Sequence, residues 1–303
     1  MDCHFRIVGL GEALFDVFPD RQVLGGSPLN VAVHAHQLGQ VCGGCGVIVS
    51  RVGQDELGAL LRRQLTARQM AVNYVQVDSD HATGKVLISV SEQGEPTYTI
   101  AENAAWDWLQ WDPSLEDLAR KCDALCFSTL AQRHYQSGHN ILRFCTVARQ
   151  AMRLFDPNLR QNFHDQRMLR RSCELATAIK LNCHELDVLS DQLGLKGESV
   201  GAKARALLNG YSLKFVAVTR GAQGTVIYTA GQYYEPEPVN YERIEGADNV
   251  GAGDAVTAAI LVGQVLRLPM AAVAELANHA GAFVASVPGA TPVLPQAILS
   301  RLK

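Results

Sequence analysis

Strand-like and helix-like patterns take turns along most of this chain, and that alternation restricts its fold more than any other property. Short apolar runs at 5–10, 46–50, 124–128, 153–156, 178–181 and 215–219 read as strands. Apolar residues at helical spacing predict helices over 27–38, 56–67, 140–151, 185–193, 201–209, 253–266 and 270–287. Strands separated by helices form a mostly parallel sheet with helices packed on it, so the expected class is α/β. Two segments, 12–24 and 84–101, break the rhythm and read as strands without intervening helices, the second with a turn at Gln93-Gly94-Glu95. They predict a small extra sheet. With 303 residues, 48% hydrophobic, and no repeat, low-complexity tract or long linker, a single domain spanning 1–303 is expected.

Charge and composition exclude several classes. A net charge of -3 without any long Lys/Arg run offers no face for nucleic acid. No apolar stretch approaches a membrane span, and the first residues lead into a strand rather than a signal-peptide region, so a cytoplasmic enzyme is expected. Cys42-Gly43-Gly44-Cys45 has redox or zinc spacing but no second pair to complete a tetrahedral site. The eight cysteines are therefore read as structural. His34 and His36 lie two apart on different helix faces and His184 has no evident partner, so none is given chemistry.

Function is concentrated in Asp248-Asn249-Val250-Gly251-Ala252-Gly253-Asp254, where a glycine turn opens a long apolar helix. Glycines there let the backbone approach a ligand, and the free N–H groups of a helix start attract anions. Asp254 falls in the first turn, beside whatever anion binds. A phosphate held against a carboxylate suggests phosphoryl transfer, with Asp254 as the base that takes a hydroxyl proton; a plain helix-cap Asp is the competing reading. Gly25-Gly26-Ser27-Pro28-Leu29-Asn30 likewise runs from a glycine turn into an amphipathic helix that closes on Gly39.

These two segments resemble the N-terminal sugar-binding and C-terminal catalytic signatures of the ribokinase-like (PfkB) carbohydrate kinases. Between them, in the family's order, come Arg51–Gly58, Asp156-Pro157-Asn158-Leu159-Arg160, Lys180-Leu181-Asn182-Cys183-His184-Glu185 and Thr219-Arg220-Gly221, with Pro288-Gly289-Ala290 after them. Asn249 stands where the family has Thr or another small residue, and Ser50 where it has Gly; Asn hydrogen-bonds much as Thr does.

The resemblance implies a three-layer ribokinase-like domain whose extra sheet is a lid over the sugar. It implies ATP and Mg2+, with K+ as a further cofactor. Gly251, Ala252 and Gly253 would supply amides to the charge on the transferred phosphoryl group. Asp16, Gly26, Asn30 and Arg160 are the candidate substrate residues. Asp16 as a solvated turn residue, Asn30 as an ordinary helix-start residue, and Arg160 as a phosphate ligand or a partner for Asp156 remain alternatives. Asn182, Thr219, Gly221, Gly224 and Asn278 are the nucleotide candidates, Asn278 being alternatively an exposed helical residue. Glu185 would organise magnesium through water, although Asn182 and Glu185 could equally form a helix cap. Asp248 with carbonyls around Val250, Val284, Val287 and Gly289 is the candidate potassium site. The Gly-Gly-x-Pro-x-Asn form, with Asp156–Arg160, looks most like the fructokinases of the family, and with the scarcity of cations in the lid segments, only Arg21 and Lys85, this resemblance implies a neutral ketohexose such as fructose. A 2-keto-3-deoxygluconate kinase, a ribose or nucleoside kinase, and a catalytically silent sugar- or nucleotide-binding regulator are the alternatives. Apolar residues in the lid strands suggest a homodimer joined through the lid.

Overall fold

The computed structural model describes residues 3–90 and 96–302. The main sheet contains β1 (Phe5–Leu10), β4 (Gly44–Gly53), β5 (Val75–Asp78), β8 (Ala124–Phe127), β9 (Met152–Phe155), β10 (Ala178–Asn182), β11 (Val216–Thr219), β12 (Thr225–Tyr228) and β13 (Tyr233–Tyr234). Their order across the sheet is β13-β12-β11-β10-β9-β8-β1-β4-β5. All pairs are parallel except β11–β12 and β12–β13.

Period-two alternation divides each strand between two layers of helices. In β1, Val8 and Leu10 join the core beneath α4 (Tyr135–Val147), α5 (Gln166–Leu175), α6 (Cys183–Leu193) and α7 (Val200–Gly210). Ile7 faces the other way, into the core beneath α1 (Ser27–Gln40), α8 (Ala252–Val265) and α9 (Met270–Val284). Both central-strand faces are buried, which accounts for the nearly continuous apolar strand sequences.

The second sheet has the order β3 (Gln22–Gly25), β2 (Leu14–Val17), β6 (Gly84–Val90), β7 (Pro96–Ile100). Both segments that broke the rhythm contribute to it. The turn expected at Gln93-Gly94-Glu95 lies outside the described residues. Phe15 and Leu24 pack with α1 and α2 (Glu56–Ala67). Val86, Ile88 and Ile100 on the opposite face bury against the body of the same chain, in one cluster with Leu14 and Trp106. The homodimer expectation assumed more apolar surface than one small sheet could bury, yet these three are buried within the chain; among the described residues of the sheet Leu87 and Tyr98 are large and exposed.

Some elements differ from the sequence reading. β5 and β12 were not expected, and β13, at two residues, is too short for a periodic signal. α3 (Pro113–Lys121) and α5 bury only a narrow stripe; each begins at an aspartate, Asp112 or Asp165, whose carboxylate caps free backbone N–H groups. α4 begins earlier than expected, at Tyr135, after the His134 cap. Cys45 is not simply a small buried residue: it forms a disulfide with Cys3, which the parallel register of β1 and β4 brings alongside. Cys122, Cys126, Cys145 and Cys173 are buried as expected, and burial pushes the Cys122 and Cys173 thiols up to about 12. Among the described residues no helix is long and apolar enough to cross a membrane.

Candidate active site

β1 lies between β4 and β8, so the chain leaves it first toward one edge and later toward the other. Open parallel sheets bind ligands outside the carboxyl ends of their strands at such a reversal. Glu12 and Asp16 follow β1, Ser128 follows β8, Asp156 follows β9, Asn182 ends β10 and Thr219 ends β11.

Gly251 precedes α8 in the left-handed region at φ 78°. A Cβ there would come within 2.1 Å of the Ala290 carbonyl, so only glycine fits. Asp254, one turn in, is held at both oxygens by α1. Ser27 Oγ donates to Oδ1 at 2.7 Å and Asn30 Nδ2 donates to Oδ2 at 2.8 Å. Thus the two glycine-led helices meet at the carboxylate. Asn30 Oδ1 remains buried without a partner, an acceptor awaiting a donor. Sequence reasoning missed Ser27, although its spacing of three from Asn30 on one helix was a usable signal.

α1 approaches the loop after β1 closely: Gly26 has φ 107°, and a Cβ would lie 2.6 Å from the Glu12 carbonyl. Asp16 sits on β2 opposite Val23. Burial pushes its carboxyl up to about 6, opposed by Arg160 and assisted by Asp248. Arg160 is exposed; its guanidinium donates to the neighbouring Leu159 carbonyl at 3.3 Å. It does not pair with Asp156.

Asp156 pairs instead with Lys180, Nζ to Oδ2 at 3.0 Å, and the same oxygen accepts from Thr257 Oγ1 at 2.8 Å. Both side chains are buried. Lys180 Nζ lies beneath the anion turn, 2.9 Å from where a Gly253 Cβ would be. Burial works against its charge, but Asp156, Glu185 and Asp254 outweigh that and hold the ammonium above the usual lysine range. Asp156 Oδ1 is buried without a partner. Lys180 stands in a motif segment to which the sequence assigned no lysine role; a lysine inside a buried strand was the signal for one.

Asn182 and Glu185 form a reciprocal cap at the start of α6: Asn182 Oδ1 accepts from Glu185 N, and Glu185 Oε2 accepts from Asn182 N. Glu185 Oε1 also accepts from Leu159 N at 3.1 Å, tying this helix to the Asp156–Arg160 loop. Thr219, Gly221, Gly224, Asn249, Gly253 and Asn278 share one cavity of about 460 Å³. Asn278 is buried rather than exposed; Oδ1 accepts from Thr225 N and Nδ2 donates to the Glu237 carbonyl. A larger groove of about 800 Å³ beside α2 contains none of these groups. Asp248 folds on itself, Oδ1 accepting from Val250 N at 2.9 Å. Gly289, at φ 86°, leads into the Ala290 segment packed on Gly251. His34, read without chemistry, supports that segment by donating from Nε2 to the Ala290 carbonyl at 2.9 Å; burial pushes its pKa down to about 4.

A glycine turn that opens a helix beside a held carboxylate, in a three-layer domain with a smaller second sheet, is the arrangement expected of a sugar kinase, and the comparisons agree. Residues 11–297 match the model of the pfkB family carbohydrate kinases, and the chain belongs to that family. It is 30% identical to a fructokinase of Klebsiella pneumoniae, covering 96% of each chain. A fructokinase of Escherichia coli is 29% identical over 94% of this chain and 95% of its own. An aminoimidazole riboside kinase of Salmonella typhimurium is 27% identical over 94% and 91%. Among solved structures, fructokinase from Vibrio cholerae O395 with fructose, ADP and calcium bound superposes with a TM-score of 0.80 at 24% identity, covering 100% of both chains.

Proposed function

We propose that this protein is an ATP-dependent kinase of a neutral ketohexose, with fructose the first candidate. The observation that carries the reading is Asp254, held at both oxygens by Ser27 and Asn30 beside the amides of the Gly251–Gly253 turn. In this reading the γ-phosphoryl group lies against those amides, Asp254 takes the proton of the attacking hydroxyl, and Asp16 and Asn30 Oδ1 receive sugar hydroxyls.

The charge arrangement supports a neutral substrate. Lys85 lies opposite Phe15 on the lid face that does not carry Asp16, and its charge acts on Asp55. Arg21 stacks on Phe18 and pairs with Asp20. Arg160, the cation acting on the sugar side, faces both Glu12 and Asp16. A sugar carboxylate would find there only Arg160, an exposed cation whose charge already acts on two carboxyls, and burying it without a closer partner would cost several kcal/mol.

Magnesium fits the residues present. Among the described residues no three acidic, His or Cys side chains converge as a direct metal cage, so the ion would be carried by nucleotide phosphates. The unpartnered Asp156 Oδ1 and the Glu185 carboxylate would then receive its waters. Bound magnesium would neutralise charge on the phosphates. For potassium, the Asp248 carboxylate and carbonyls of the Val284–Gly289 segment are oxygen donors of suitable type. An ATP-consumption assay over neutral sugars, sugar acids and nucleosides tests the proposal. Efficient turnover of fructose supports it, a preference for 2-keto-3-deoxygluconate or a riboside refutes the substrate, and no sugar-dependent ATP turnover favours a silent binding protein.

A further inference from the structure

Glu12 is a carboxyl that the reading above leaves without a task. It follows β1 directly, is 1% exposed, and accepts a hydrogen bond from Ser128 Oγ at 3.3 Å. Its main chain abuts Gly26, whose neighbour Ser27 grips Asp254. The charged groups facing it are Asp254 from α8 and Arg160 from the loop after β9, and the Cys126 thiol of β8 also senses it. The buried cations nearby are committed elsewhere, Lys180 to Asp156 and Arg133 to Asp107. A carboxyl so enclosed, beside a second carboxylate and facing only a solvent-exposed guanidinium, resists ionisation.

We propose that Glu12 is a specificity-determining residue, whose protonation state sets how strongly the sugar pocket discriminates against negatively charged sugars. This rests on the sugar-kinase reading but not on fructose being the substrate. Burial, with Asp254 adding to it, pushes the Glu12 carboxyl up to about 7 against the lowering effects of its own backbone, Arg160 and Ser128. Below that pH Glu12 is neutral, and Arg160 is balanced by Asp16 alone. Above it, a further negative charge faces Arg160 and repels an anionic sugar, while a neutral sugar feels little. If a bound sugar carboxylate raises the Glu12 pKa by about one, reciprocity makes that acid bind about tenfold more weakly once Glu12 is ionised.

The test is calorimetric binding of fructose and of 2-keto-3-deoxygluconate to the full chain with ADP, at about pH 6.5 and about pH 8.2, where the sugar carboxylate is ionised throughout. Asp16, whose carboxyl burial pushes up to about 6, completes its ionisation within this interval, and the Glu12→Gln variant reads that share separately. The rise in the ratio of acid Kd to fructose Kd should be about fivefold larger in the wild type than in Glu12→Gln. A flat ratio in the wild type overturns the inference without any variant, as does an equal rise in Glu12→Gln. Absence of binding by both sugars overturns it together with the ketohexose assignment, and leaves membership of the kinase family standing. A tighter-binding acid with a pH-dependent ratio refutes only the neutral-sugar assignment and upholds the role of Glu12.

Discussion

Replacing Lys180 with methionine should damage both stability and turnover. The ammonium lies 3.0 Å from Asp156 Oδ2, with side-chain exposures of 7% and 2%. At an effective dielectric of 20 that separation corresponds to an attraction of about 5 kcal/mol, offset in part by desolvation. Truncating one partner removes the attraction but leaves Asp156 buried, with Thr257 Oγ1 still donating to it, so the expected loss is about 3–5 kcal/mol. Urea unfolding would read this as a lower midpoint at unchanged slope. Lys180→Met combined with Asp156→Leu should recover much of the loss, because no uncompensated charge remains. Turnover should stay low in the double variant, since the cation beneath Gly253 is absent from both. A loss below about 1 kcal/mol in the single variant, the range of an exposed pair, would refute the buried-pair argument.

Three further outcomes follow from the same geometry. Gly251→Ala should lower kcat by about two to three orders of magnitude, the scale of a lost anion-hole donor, because its Cβ would strike the Ala290 carbonyl; near-normal kcat in steady-state assays would contradict this. Glu12 has a folded-state pKa raised from 4.5 to about 7, so the stability its neutral form carries at low pH is lost as pH rises through 7. Relative to wild type, Glu12→Gln should therefore gain about 3 kcal/mol between about pH 5 and pH 8 in denaturant titrations, and a constant difference would argue against a buried neutral carboxyl. A homodimer through the small sheet, with the exposed Leu87 face in the contact, should give twice the chain mass in light scattering; a clean monomer at micromolar concentration would remove that expectation.

The fold was legible because buried parallel strands and their covering helices leave different periods in the sequence, and the smaller sheet because its strands lacked a helix between them. The two-residue β13 left no pattern of its own, β5 buries only its two end residues, and the charged surface of α5 concealed its narrow buried stripe. Motif positions such as Asp254 and Asn30 could be read from glycine turns that open helices. What could not be read was that they touch: 224 residues separate Asn30 from Asp254, and only packing of α1 against α8 joins them. Glu12 was hidden for a related reason, since burial of a loop carboxyl depends on how closely Gly26 approaches it. The Cys3–Cys45 pair depended on the register between β1 and β4, which the Cys42–Cys45 spacing did not disclose.

The central claim is that Asp254 is the general base. Its most direct test is single-turnover phosphorylation by Asp254→Asn, using the sugar that supports the fastest ATP consumption, with sugar and nucleotide binding measured alongside. Asparagine can still accept from either Ser27 or Asn30, so the fold and both binding affinities should persist while the chemical step slows by about two to four orders of magnitude. A folded Asp254→Asn protein that transfers the phosphoryl group at near wild-type rate would contradict the assignment.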